Sequence, residues 1–125
     1  MKKSERKKWI EKCQKIIREH KIRTFGNKCQ FCGKKGNLGL FHILSVGAYP
    51  RLALCEDNML LACWFPCHNG WHHNYYFARD VIAPKIRQIC GDDYESYLKK
   101  INEEMPKLSL LRIKEIFNEL QAKKN

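Results

Sequence analysis

Two close pairs of cysteines, Cys29-Gln-Phe-Cys32 and Cys63-Trp-Phe-Pro-Cys67, stand 30 residues apart and constrain this chain more than any other feature of it. A two-residue gap lets both sulfurs of a knuckle turn toward one ion, and a second pair supplies the other corners of a tetrahedral Zn²⁺ site with bonds of about 2.3 Å. The seven cysteines make an odd total, which argues against a simple disulfide framework. A redox CxxC would open a helix after a strand, whereas Gly33-Lys34-Lys35-Gly36 does not continue as one. The expected ligands are therefore Cys29, Cys32, Cys63 and Cys67, in a closed and structural site; a set using His68 with Cys67 left free is the alternative. Cys13, Cys55 and Cys90 read as small buried hydrophobes.

Around this knot the hydrophobic spacing predicts mostly helix. Ser4 can cap a helix to about His20, with Trp9, Ile10, Cys13, Ile16 and Ile17 on one stripe opposite the lysines. A glycine-rich turn leads into a buried strand over 38–44, and a second strand covers 59–62 after a turn near Glu56, Asp57 and Asn58. Pro66 fits the first turn of a helix continuing to about Arg79. Pro84 opens a segment that Gly91 ends, Tyr94 to Ile101 forms another, and Ser109 caps a last one. The expected organisation is a basic amphipathic helix arm (1–26), a zinc-bound core (27–82) and a helical extension (83–125).

Charge points to the partner. The chain of 125 residues holds 24 Lys and Arg against 13 Asp and Glu, a formal +11. Residues 1–28 carry eleven basic and three acidic side chains, whereas 91–125 carry seven of each. Such a concentration suits a polyanion, and Lys and Arg of residues 2–28 are expected to contact DNA backbone phosphates without reading sequence. No apolar run approaches the roughly 20 residues of a membrane span, and no signal-peptide core follows the lysines, so no membrane contact and an intracellular, cytoplasmic location are expected.

Four of the five histidines lie close to the cysteine pairs: His42, His68, His72 and His73. On a helix begun by Pro66, His68 and His72 share a face and can bind one divalent cation through neutral imidazoles, with His42 approaching from the strand opposite. The order CxxC, strand histidine, Asp57-Asn58-Met59-Leu60-Leu61-Ala62-Cys63 and then Cys67-His68 resembles the zinc-bound HNH (ββα-metal) nucleases. The version with Phe41-His42-Ile43, Pro50-Arg51, Glu56-Asp57-Asn58 and a Tyr76–Leu98 segment containing Gly91 is similar to phage recombination endonucleases of the NinG (Rap) type, over about residues 27–100.

That resemblance implies an α+β fold: a small zinc-stabilised ββα-metal (HNH) core, flanked by N-terminal and C-terminal helices. It implies a metal-dependent DNA endonuclease acting on branched or single-stranded recombination or replication intermediates, in the host cytoplasm if the chain is phage-encoded. His42 falls on the general base, Asn58 on the residue that holds its imidazole across the loop, and His68 on a ligand of the catalytic Mg²⁺ or Mn²⁺. Helical spacing makes His72 the second ligand, the three-residue gap of the second knuckle keeps His73 as an alternate, and Arg51 is a candidate phosphate clamp. Many HNH nucleases carry Asp or His before the base as a further ligand, where this chain has Phe41. The alternative is a catalytically inactive zinc-dependent DNA-binding or recombination accessory protein. Two active sites are normally needed to resolve a junction, which makes a homodimer through the last helix a possible assembly.

Overall fold

The computed structural model describes residues 3–123. Helix α1 (Glu5–Phe25) begins where the Ser4 hydroxyl accepts the Lys7 N–H at 3.1 Å and ends at Gly26, whose φ of 92° suits glycine. Strands β1 (Leu38–His42) and β2 (Met59–Cys63) pair antiparallel, with Leu38 opposite Cys63 and His42 opposite Met59. After β2 the chain makes a wide turn over Trp64–His68 and enters α2 (Asn69–His73). Then follow α3 (Tyr75–Phe77), a second wide turn over Ala78–Ile82, α4 (Ala83–Cys90), α5 (Tyr94–Glu104) and α6 (Leu110–Lys123). This is a small two-stranded sheet among helices, a mixed helix and sheet architecture with a cysteine cluster at one end. No described helix is long and apolar enough to cross a membrane.

Two apolar clusters meet at the hairpin. One packs Phe31, Phe41 and Leu61 with Ile82, Ile86 and Leu98 of the later helices. The other packs Cys13 and Ile17 of α1 with Leu54, Met59 and Ile113. The stripe predicted for the first helix therefore faces α6, where Trp9 meets Phe117 edge-on at 5.1 Å. The same contact covers the apolar stripe of α6, the surface read as a dimer contact, although Leu111 stays exposed. Cys13 is fully buried, and burial pushes its thiol up to about 11. Cys55 and Cys90 are half-buried beside the other cluster, and burial raises both thiols.

Three local details depart from the periodicity. The first strand stops at His42 because the fully buried Asn58 side chain takes over: its Oδ1 accepts the Leu44 N–H at 2.8 Å and its Nδ2 donates to the Leu44 carbonyl at 2.9 Å. The helix expected to run to Arg79 breaks at Asn74 (φ −131°, ψ 100°), whose Oδ1 then accepts the Phe77 N–H at 3.1 Å and starts a new one. The helix expected from Pro84 to Gly91 forms as α4, with Pro84 in its first turn and Gly91 at its end, but the wide turn of 78–82 leads into it without a break.

The break folds Phe77 back onto Gly70, where an added Cβ would lie 2.4 Å from the ring. Gly70→Ala is expected to force that ring out and to cost about 1–3 kcal/mol, read as a fall of several degrees in melting temperature. A variant melting with the wild type would show that the ring moves aside freely.

Candidate functional site

The cysteine knot is assembled by backbone before any ion is considered. In the first knuckle the Cys29 N–H donates to the Lys34 carbonyl and the Gly33 N–H to the Cys29 carbonyl, both at 2.9 Å, while Gly33 and Gly36 take φ of 78°. Gln30, between the two ligands, stitches this loop to β2: its N–H donates to the Leu61 carbonyl at 2.9 Å and its Oε1 accepts the Leu61 N–H at 2.7 Å. The second knuckle leaves the end of β2 directly. All four sulfurs lie within 4.8 Å of one another, and Cys32 and Cys63 are 3.7 Å apart. The edge of a tetrahedron with 2.3 Å zinc–sulfur bonds is about 3.8 Å, so the cluster could hold a structural metal such as zinc.

Its electrostatics also suit a cation. Burial disfavours the Cys29 thiolate, but backbone hydrogen bonds from Cys63, Cys32 and Phe31 outweigh it and bring the group down to about 7. Burial and the neighbouring sulfurs push Cys67 far up. Four thiols this close cannot all ionise without a cation among them, and a metal ion supplies it. Cys67 lies in the cluster with the other three, so the group that could hold an ion is the four cysteines.

His42, His68 and His72 stand near one another beside the hairpin. Strand alternation turns Phe41 toward α2, where it is fully buried against Trp71 (ring centroids 5.3 Å) and approaches His68 (6.1 Å) edge-on. His68 and His72 stack one turn apart at 4.8 Å, whereas His73 points elsewhere, 6.3 Å from His72. Among the described residues, the four cysteines are the one group of three or more potential ligands gathered closely enough for an ion.

His42 leaves β1 on the side away from Phe41 but stays near enough to His68 and His72 for their charges to disfavour its own. Its Nε2 lies 3.3 Å from the Ala53 carbonyl, which also accepts from Gln14 Nε2 of α1 at 3.3 Å. The ring opens into a cleft of about 860 Å³ between α1 and β1, walled by Lys15 and Arg18 and closed at one end by Trp64. Burial lowers the His42 pKa from its ordinary value and the nearby His72 adds to this, against the opposing Ala53 carbonyl. His68 is lowered by burial, then by His72 and His42.

The remaining candidates are held differently from what their motif positions suggest. Asn58 does bond across the loop, but to the Leu44 backbone and not to the imidazole of His42. Arg51 donates to the Met105 and Asn102 carbonyls at 2.9 and 3.5 Å, closing the end of α5, and lines a separate hollow with Arg6 and Lys107. A guanidinium so engaged fastens helices together. The Asp57 carboxylate accepts the Tyr97 hydroxyl at 3.0 Å. Spacing gave no sign of Gln14 or Trp64, whereas Gln30 could have been found as a polar residue inside a metal knuckle.

No family model, curated protein or solved structure matches this chain. The purified protein is expected to carry one zinc per chain, and Cys63→Ser or Cys67→Ser to lose it. Structural zinc contributes about 10–16 kcal/mol in small zinc domains, so chelation should abolish the cooperative thermal transition. A circular dichroism melt unchanged after exhaustive zinc removal would rule out a structural metal here.

Proposed function

We propose that this chain is a metal-dependent DNA endonuclease of HNH type, with His42 as general base. The observation that carries the reading is the placement of His42, half-buried and anchored through one ring nitrogen, in a cleft whose wall is the basic face of α1. An anchored imidazole beside lysine and arginine is the arrangement needed to activate water next to a bound phosphodiester.

The residues divide the work as follows. With Nε2–H donating to the Ala53 carbonyl, the proton resides on Nε2 and the Nδ1 lone pair is free. Nδ1 takes a proton from water, whose oxygen attacks phosphorus in line as the leaving oxygen departs. A lowered pKa keeps the ring neutral, and so able to accept that proton, at neutral pH. Lys15 and Arg18 hold the phosphate backbone. Asn58, through Leu44, fixes the chain two residues beyond His42 and acts as a positioning residue. His68 and His72 would hold the divalent ion, which when bound stabilises negative charge on the phosphate.

A second reading, a zinc-dependent DNA-binding or recombination accessory protein without cleavage, is favoured by one observation: Phe41 fills the position beside His68 with an aromatic ring instead of a ligand.

A plasmid-nicking assay with Mg²⁺ or Mn²⁺ separates the two. His42→Ala should lose about 10²–10⁴-fold in cleavage rate while binding the same DNA. The wild-type rate should rise with pH as His42 deprotonates and reach its plateau at a lower pH than an ordinary imidazole would give, because burial lowers its pKa. Binding without cleavage in any divalent metal selects the accessory reading.

A further inference from the structure

The cleft beside His42 ends at Trp64, an indole 59 % exposed although tryptophan is among the largest apolar side chains. One side of the ring lies over Gly39, whose missing Cβ would sit 3.6 Å from Cε2 and Cζ2, and its edge meets His68 at 4.5 Å. The ring is thus braced by the hairpin and by the histidine helix, and the rest of its surface is left to the cleft and the solvent. A braced, exposed indole beside cations is a stacking platform for a nucleobase.

We propose that Trp64 stacks an unpaired base of single-stranded DNA drawn into this cleft, so that an unpaired strand is preferred to a duplex. The inference rests on reading the cleft as a DNA site. An unpaired strand can turn a base onto such a ring, whereas a duplex keeps its bases stacked on one another.

Charge agrees with this occupant. Lys15 and Arg18 face the cleft for the sugar-phosphate backbone, and the one acid there, Glu11, is paired with Lys3 at 2.8 Å. Asn27 and Asn37 lie at the Trp64 end and bring amide groups able to bond a base edge. Every base has a π-face, so such a platform favours unpaired strands with little regard to sequence.

The test measures binding by fluorescence anisotropy, with a labelled oligo-dT and a labelled duplex of equal length and the zinc-loaded His42→Ala chain as parent, so that cleavage plays no part. Adding Trp64→Ala should weaken oligo-dT binding about 5- to 100-fold and change duplex binding less than twofold. Trp64→Phe should retain most of the affinity. Because Trp64 adjoins Cys63, zinc content and melting temperature are measured on each variant, and Trp64→Leu stands in if the alanine chain does not fold: its oligo-dT affinity should then fall severalfold and its duplex affinity stay constant. Equal losses on both DNAs, or no loss on oligo-dT, overturn the proposal. Nicking by wild type lost in His42→Ala would leave the nuclease reading standing in that event, so the two failures are distinguishable.

Discussion

Everything in this fold hangs on four sulfurs drawn within 4.8 Å of one another at one end of a two-stranded hairpin. A sheet of two five-residue strands buries too little to hold itself together in water. The knuckles compensate by gripping β2 at two points: the first is stitched to its middle by Gln30, and the second leaves from its last residue. The hairpin is therefore fixed relative to the helix that follows, which sets where His68 and His72 stand. Helices α1 and α6 then close the opposite side through Cys13, Ile17 and Ile113.

Much of this was legible from residue spacing, because spacing reports local geometry. The cysteine pairs, the Ser4 cap and the register of apolar stripes each follow from a few neighbouring residues, and all are found. What spacing could not convey is the destination of polar side chains. Asn58 stood in the motif as a partner of the imidazole, yet a buried amide beside an unpaired backbone N–H and carbonyl is drawn to both, and Leu44 presents them. Arg51 looked available for phosphate, yet the open carbonyls at the end of α5 take it. The break at Asn74 has the same origin, a side chain offering the backbone a better partner than the helix does.

The site was legible to a lesser degree. Histidine spacing put His68 and His72 on one face, with His73 kept as an alternate, and the first two rings stand 4.8 Å apart. Strand alternation, equally simple, sends Phe41 and His42 to opposite faces, and the cleft that receives His42 depends on how α1 docks, which no local pattern encodes. The cationic character of the first 28 residues was plain, but the particular cations that flank an imidazole, Lys15 and Arg18, emerge only when the helix is laid across the hairpin.

The carbonyl of Ala53 has two lone pairs, and both are spoken for: one by the imidazole of β1, the other by the amide of Gln14. A single oxygen atom thus joins the docking of the first helix to the tautomer of His42. Peeling α1 from the hairpin would free a lone pair, loosen the ring and remove the cations in one movement. The first helix, lying outside the motif region altogether, is for that reason an organ of the site and not an appendage to it.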